Sequence, residues 1–339
     1  MKGPGLRVPR ARGEEIRRRL REAGYLHADL AIVHEGEFLV LPIREPASVP
    51  SDWGQVVERE FRPRKRRGPS DYRELLTWTD EQKNELPRSF DIIGDIVLIR
   101  LPDTLEARKE EIGQALLQFV PSARIVGLDR GVHGPERRRR VERIAGEGPW
   151  RTRHRENGVD LEVDVERAYF SPRLAHEHER VAAGVREGER VYDLCCGVGS
   201  FALKLARDGR ASSISAVDSN PDAIALLRST RARYPWGERI EVVQAPIEQF
   251  LPSRGAVERV ILNLPHEGIK YLPLVARTIA PRGRLHYYEV TPRAEPEERA
   301  EKVVNALGPG SWELVGRHVV HPYSPSSDLV AYVVGRGEA

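Results

Sequence analysis

An α/β architecture, with a mostly parallel, doubly wound sheet preceded by two small α+β domains, is what this chain of 339 residues predicts. Three observations carry that prediction. From about Glu187 onward, short apolar runs of strand length alternate with helix-like stretches, as in a sheet whose strands are joined by crossover helices. The first of these runs passes directly into Gly197-Val198-Gly199 and then FALKLARDG, which puts a glycine turn at the carboxyl end of a strand and the start of a helix. The length exceeds what one hydrophobic core usually organises, so two or three domains are expected.

Taken in order, residues 12–45 hold a helix pattern, EEIRRRLREAG, followed by two strand-like runs, LAIVHEG and EFLVLPIRE, with a turn at Gly36. We read residues 1–50 as a small N-terminal module. Residues 51–88 are rich in Pro, Asp, Arg and Lys with weak periodicity, and read as a basic linker with room for one helix. Residues 89–165 form a middle α+β domain: DIIGDIVLIRLP supplies a strand, EARKEEIGQALLQFV a helix and ARIVGLDRG another strand. The segment ENGVDLEVDVERAYF, Glu156 to Phe170, alternates apolar and polar residues like a hairpin leading into the last domain, residues 166–339. There the strands fall at RVYDLCC, SISAVD, IEVVQA, VERVILNLP and RLHYYEV, and ELVGRHVVHPYS pairs with LVAYVVG as an antiparallel hairpin at the sheet edge. The chain has no internal repeat and no low-complexity tract.

Hydrophobic residues make up 40% and charged residues 31%, the profile of a soluble globular protein. No apolar run approaches a bilayer span. The N-terminus, MKGPGLRVPRARGEE, is not followed by an apolar signal region, so a cytoplasmic location is expected. The two cysteines, Cys195 and Cys196, are adjacent and have no His or further Cys nearby, so they read as small buried side chains rather than a crosslink or a metal site. No metal is expected. Net charge is only +3, but its distribution is uneven: Arg137 to Arg155 holds eight Arg against two Glu, and Arg62 to Arg67 is a second basic cluster. Such segments attract a phosphate backbone by releasing its counterions, or else form a solvated face.

Glycine at 197 and 199 lets backbone approach a ligand, and the helix that follows presents N–H groups. Asp218, at the end of the second strand and about twenty residues beyond, is placed to accept hydrogen bonds from a ribose. Gly197, Gly199 and Ala202 also satisfy the dinucleotide pattern, so this spacing alone leaves NAD open. Two features favour S-adenosylmethionine: Asp193 closes the first strand, and Asn263-Leu264-Pro265-His266 closes the fourth, where a carbonyl and an amide can hold a nucleobase amino group. The ordinary alternatives are a helix cap for Asp193 and a turn former for Asn263.

With those residues in view, the chain resembles the archaeal and eukaryotic tRNA (guanine-37-N1)-methyltransferases, whose relatives include the wybutosine-pathway transferases. The resemblance covers nearly the whole chain and runs through FDIIGDIVLIR, IAGE, HRENGVDLEVDVERAYFSPRLAHEHERVA, DLCCGVGSF, VDSNPDA and NLPHEG in that order. It implies a class I Rossmann-like methyltransferase domain, an N-terminal module that contacts the outer corner of tRNA, and action beside the anticodon by a monomer. Glu177 is implied as proton acceptor, Arg137 or Arg139 as the group at the guanine oxygen, and Asn263 and Pro265 as neighbours of the base. Tyr169, Arg173 and His266 are implied to shape the substrate site. Cofactor contacts are expected from Asp193, Cys195, Gly197, Gly199, Phe201, Asp218, Ser219, Asn220, Ala245, Pro246 and Asn263.

The chemistry suits that set. Methylating guanine N1 requires loss of its proton while charge builds on O6, so a carboxylate and a guanidinium meet the two demands. Glu177 has a competing reading, an exposed helix residue pairing with Arg173 or Arg180. The chain departs from the family in three places: His178 stands where relatives carry Arg, Ala245-Pro246 replaces a small Gly-Asp pair, and Cys195-Cys196 replaces Phe-Ala. Adenine binding then falls to Glu248 or to backbone atoms. Alternatives in activity are wyosine-ring methylation, aminocarboxypropyl transfer, and a tRNA-binding relative with weak catalysis.

Overall fold

The computed structural model describes residues 2–44, 46–63, 68–134, 138–294 and 296–338. The chain divides into two compact units, Met1–Leu75 and Leu76–Ala339.

In the first unit, β1 (Lys2–Pro9), α1 (Gly13–Glu22), β2 (Val33–Glu35), β3 (Phe38–Pro42) and β4 (Gln55–Glu60) form an antiparallel sheet in the order β2-β3-β1-β4 with one helix. The apolar stripe of α1, Ile16 and Leu20, is buried against Leu6, Val8, Leu41 and Ile43. Two strands lay outside the sequence reading. β1 is dense in Gly and Pro, yet Gly5 is needed there because a Cβ would meet Val40 at 2.5 Å and Phe61 at 2.6 Å. β4 falls inside the expected linker, and its pairing with β1 makes part of 51–88 a sheet edge.

The second unit opens with α2 (Asp80–Asn84), started by a capping box between Thr79 and Gln82. β5 (Asp91–Ile93), β6 (Ile96–Ile99), α3 (Lys109–Phe119), β7 (Ile125–His133) and β8 (Arg138–Gly146) follow, with the sheet in sequential order and β6 parallel to β7. The arginine-rich run is therefore largely a strand, and the alternation of the pleat buries Arg139 while leaving Arg140 exposed. The hairpin expected over Glu156 to Phe170 lies earlier in the chain, formed by β9 (Arg151–Glu156) and β10 (Val159–Asp164), and its turn residues Asn157 and Gly158 both have positive φ.

The remaining elements are α4 (Ala175–Ala183), β11 (Arg190–Leu194), α5 (Ser200–Asp208), β12 (Ser213–Asp218), α6 (Pro221–Arg231), β13 (Ile240–Gln244), α7 (Ile247–Phe250), β14 (Val257–Leu262), α8 (Leu272–Ala276), β15 (Ile279–Pro292), α9 (Pro296–Asn305), β16 (Trp312–Ser324) and β17 (Ser327–Arg336). They build a seven-stranded sheet in the order β13-β12-β11-β14-β15-β17-β16. All pairs are parallel except those made by β17, which slots antiparallel between β15 and β16. The strand order reverses at β11, and a ligand crevice is expected at the carboxyl ends of the strands there.

One apolar core joins Ile93, Ile96, Leu98 and Ile125 of the smaller sheet to Val159, Leu161, Val191 and Ile214. The hairpin is also tied to α6 and the turn after it, through the Glu162 N–H donating to Thr230 Oγ1 at 2.9 Å and the Asp160 N–H donating to Tyr234 Oη at 2.9 Å. Residues 89–165 and 166–339 thus share a core rather than meeting at a linker.

Candidate active site

The turn after β11 is built from unusual backbone: Cys195, Gly197 and Gly199 have φ of 60°, 55° and 84°. A Cβ on Gly199 would lie 2.4 Å from the Leu227 side chain, so that glycine permits α5 to pack on α6. Asp193 is completely buried; its Oδ2 accepts the Ala202 N–H at 3.1 Å, and its Oδ1 has no partner. Burial pushes this carboxyl up to about 7, against the Ala202 hydrogen bond and aided by the charge of Asp218. Asp218 accepts the N–H groups of Gly197 at 2.7 Å and Asn220 at 2.9 Å, which fixes its carboxylate at the end of β12. The side chain of Asn220 is spent on structure, capping α6 and donating to the Arg167 carbonyl at 2.8 Å. Burial pushes both cysteine thiols well up, so each is a neutral, apolar wall of the turn.

A cleft opens at this turn. Its inner part is lined by Tyr169, Phe170, Leu174, His178, residues 195–198, Phe201, Asn263 and Pro265. A first lobe, lined by Ala245, Pro246, Glu248, Leu264, His266 and Tyr271, joins it at Cys195, Asp218 and Ser219. A second lobe, lined by Phe90, Arg100, Asp129, Arg139 and Arg173, joins it at Tyr169, Ser171, His321 and Tyr323.

The structure brings together nearly all the residues singled out from the sequence. Arg139 borders the second lobe, donates to Asp129 at 2.6 Å and to the Phe170 carbonyl at 3.0 Å, and its guanidinium carbon lies 5.7 Å from the centre of the Tyr169 ring. Arg173 also lines this lobe and pairs with Asp91 at 2.9 Å. Arg137 lies outside the described residues, as do residues 64–67 of the basic cluster. His266 hydrogen-bonds through Nε2 to the Tyr323 hydroxyl at 3.0 Å, and the Pro265 carbonyl accepts the Val290 N–H at 3.0 Å, which anchors the Asn263 turn to β15.

Glu177 does not line the cleft. It is 4% exposed, and its carboxylate accepts from Arg180 at 2.7 and 2.8 Å, from the Tyr288 hydroxyl at 2.6 Å and pairs with His318 Nε2 at 2.9 Å. Burial pushes the carboxyl up, but the hydrogen bonds from Arg180, Tyr288 and His318 outweigh it and hold its pKa below the usual range. The Arg180 pairing foreseen as the ordinary alternative is present, in a buried rather than an exposed setting. Its neighbour His178, one helical step on, is the α4 residue that does line the inner cleft, with Nδ1 2.6 Å from Glu156 Oε1.

Sequence reading passed over Glu156, Tyr288, His318, His321 and Tyr323. The last three lie on β16, whose alternating pattern reads as an ordinary edge strand. Only the fold, which returns that strand to the mouth of the cleft, gives them a part in the site. Among the described residues, no three His, Cys, Asp or Glu side chains gather as a metal site, and no helix is long and apolar enough to cross a membrane.

Three family models match the chain in order: the tRNA methyltransferase 5 N-terminal domain over residues 5–51, the TYW2 N-terminal domain over 72–149, and the TRM5/TYW2 methyltransferase domain over 152–313. The chain is 35% identical over 331 residues to the tRNA (guanine(37)-N(1))-methyltransferase Trm5b of Pyrococcus abyssi, covering 96% of this chain and 97% of that protein. It is 28% identical over 335 residues to the protein of the same name from Methanocaldococcus jannaschii, covering 96% of each. The crystal structure of Trm5b from Pyrococcus abyssi superposes with a TM-score of 0.73 at 34% identity over 99% of both chains. A structure described as the complex of aTrm5 and tRNALeu superposes with a TM-score of 0.71 at 27% identity, over 98% of this chain and 99% of that one. A structure described as Pyrococcus horikoshii TYW2 in complex with MeSAdo shares the fold, with a TM-score of 0.66 at 21% identity over 79% of this chain and 98% of that one. By its end-to-end likeness to Trm5b and the ordered match of all three models, the chain belongs to the TRM5/TYW2 family of methyltransferases.

Proposed function

We propose that this chain transfers the methyl group of S-adenosylmethionine to N1 of guanosine 37 in tRNA. The observation that carries the reading is a cleft whose inner part opens into two lobes of different chemistry, one at Cys195, Asp218 and Ser219 and the other at Tyr169, in a chain matched end to end by proteins named for that reaction. The residues present fit the cofactor. Asp218 stands where ribose hydroxyls need an acceptor, and the unpartnered Oδ1 of Asp193 under the turn is a buried acceptor that a ligand-side donor or a bound water satisfies. The first lobe, walled by Ala245, Pro246 and Leu264, takes the adenine, and Glu248 is the carboxylate that borders it.

The cofactor supplies an activated methyl group; the protein supplies position and charge. Guanine enters by the second lobe, where Arg139 offers a guanidinium already oriented by Asp129 and stabilises the charge growing on O6. Asn263 and Pro265 hold the base edge, and Tyr169 and Arg173 line its path. Glu177 is assigned as proton acceptor by resemblance. Its carboxylate is held by Arg180, Tyr288 and His318, so taking the N1 proton requires the side chain to leave those donors when substrate binds. The N-terminal unit is assigned to the outer corner of the tRNA.

The test is incubation of purified protein with labelled cofactor and an unmodified tRNA transcript, followed by mass spectrometry of the nucleosides. One methyl on guanosine 37, absent when that guanosine is replaced, is expected. Label at another nucleotide would overturn the reading. The match of residues 72–149 to the TYW2 N-terminal domain favours one alternative, aminocarboxypropyl transfer, and the larger added mass identifies it in the same experiment.

A further inference from the structure

In the reading proposed above, on which this inference rests, the target guanine belongs to the base stack of an RNA loop and must swing out of it to reach the inner cleft. A base taken out of its stack gives up contacts on both faces, and enzymes that extract one replace those contacts with flat side chains. Among the described residues, those that line both the inner cleft and the second lobe, and so form the neck between them, are Tyr169, Ser171, His321 and Tyr323. Ser171 is 7% exposed, so the flat surfaces of the neck come from the other three. Tyr169 has the Arg139 guanidinium 5.7 Å from its ring centre, and His321 has Nδ1 at 2.8 Å from the Pro322 carbonyl. Tyr323 is 41% exposed, a large ring left bare at the mouth of the cleft.

Three local features hold Tyr323 in that place. The register of β16 against β17 slips between Pro322 and Ser324, which leaves Tyr323 without a cross-strand partner and turns it out of the pleat. Its hydroxyl lies 3.0 Å from His266 Nε2, and the two rings meet edge to face at 5.5 Å between centres, so the end of the strand is tied to the Asn263 turn. Behind it Arg293 closes the β16–β17 turn: its guanidinium donates to Asp328 at 2.8 and 3.0 Å and to the Pro325 carbonyl at 3.1 Å, and its backbone N–H donates to the Ser326 carbonyl at 3.0 Å. Residues at an exposed loop tip are ordinarily mobile; this ring is fixed through its hydroxyl and through the turn beside it. We infer that Tyr323 is a base-binding residue, its ring stacking on the extruded guanine in the neck, with His266 as the residue that positions the ring. Stacking is tolerant of base identity, since every base has a π-face. Tyr323 therefore captures and orients the base, while the choice of guanine stays with Arg139 and the Asn263 turn.

Single-turnover methylation of an unmodified tRNA transcript by the full chain separates stacking from a structural role. Tyr323→Leu is expected to slow the step about tenfold, the usual worth of one base–aromatic stack. Its Kd for tRNA is expected to change by less than about twofold, because phosphate contacts dominate that affinity. Tyr323→Phe and Tyr323→Trp keep a ring and are expected to keep most of the rate. A transcript with 2-aminopurine in place of guanine 37, whose fluorescence is quenched by stacking, is expected to be brighter when bound to Tyr323→Leu than to the wild-type chain. An unchanged rate in Tyr323→Leu, a loss in Tyr323→Phe as large as in Tyr323→Leu, or equal brightness of the two complexes overturns the inference and leaves Tyr323 as a tie between β16 and the Asn263 turn. Should the wild-type chain place no methyl group on guanosine 37, the proposed function itself falls, and that outcome is read by nucleoside analysis before any variant is made.

Discussion

The carboxyl of Asp193 is enclosed in the fold with one oxygen on the Ala202 N–H and the other unpartnered. Its folded pKa of about 7 lies above the ordinary 3.8, so between those values the native chain holds a proton that the unfolded chain has released. The stability this proton confers is present at low pH and lost as pH rises through 7. Asp193→Asn removes the buried charge and keeps the acceptor for Ala202. Its melting temperature is therefore expected to exceed that of wild type by more at pH 8 than at pH 5, while binding of S-adenosylhomocysteine weakens. Equal increments at both pH values would mean that the folded pKa of Asp193 is not raised and that its carboxyl is ionised at pH 5 as well as at pH 8. Glu177 behaves oppositely, since its pKa is lowered: its ion pairs stabilise the chain above the ordinary 4.5 and that contribution fades as pH falls through the folded value. Glu177→Gln is expected to leave S-adenosylhomocysteine binding intact and to cut single-turnover methylation by on the order of a hundredfold, the usual worth of a general base. Unchanged turnover would leave Glu177 as a structural tie between α4, β15 and β16.

At the scale of elements, α5 and α6 are locked by a backbone device. Gly199 combines a left-handed φ with a Cβ position only 2.4 Å from Leu227. Gly199→Ala is expected to cost about 2 kcal/mol in urea unfolding through strain and overpacking, whereas alanine at Gly197, also left-handed, meets only the Tyr169 carbonyl at 3.4 Å and costs less. The same elements mark what the sequence made legible. The five parallel strands and the closing hairpin were readable because each carries its own periodicity. β1, β4 and β8 were not: β1 is broken by Gly and Pro, β4 (QVVERE) is a half-exposed edge, and β8 hides a strand in a run of arginines whose charge overrides its alternation. Cys195, Gly197, Phe201, Asp218, Ser219 and Asn220, singled out from the sequence, line one cleft because they sit on the turns that follow two neighbouring strands. The pairing of His178 with Glu156, and of Glu177 with Tyr288 and His318, spans 22, 111 and 141 residues of sequence, and no local pattern encodes such distances.

For the whole molecule, a net charge of +3 says little about a polyanionic substrate, because what matters is which cations face it. Many of the chain's arginines are already committed to carboxylates: Arg130 to Glu106 and Glu142, Arg259 to Glu189, Arg299 to Glu289. Such pairs add nothing to phosphate binding unless the partner is displaced. Arg100 and Arg173 differ in keeping 69% and 47% of their side chains exposed while lining the second lobe, so they can exchange Asp129 and Asp91 for phosphate at modest cost. Replacing either by Gln is expected to weaken tRNA binding and to lower the slope of log affinity against log salt by about 1, the counterions released by one phosphate contact. Arg140, exposed on β8, serves as the comparison. A slope that falls for Arg140→Gln and not for Arg100→Gln or Arg173→Gln would move the phosphate path from the lobe to the outer face of that strand, and with it the direction from which the base enters.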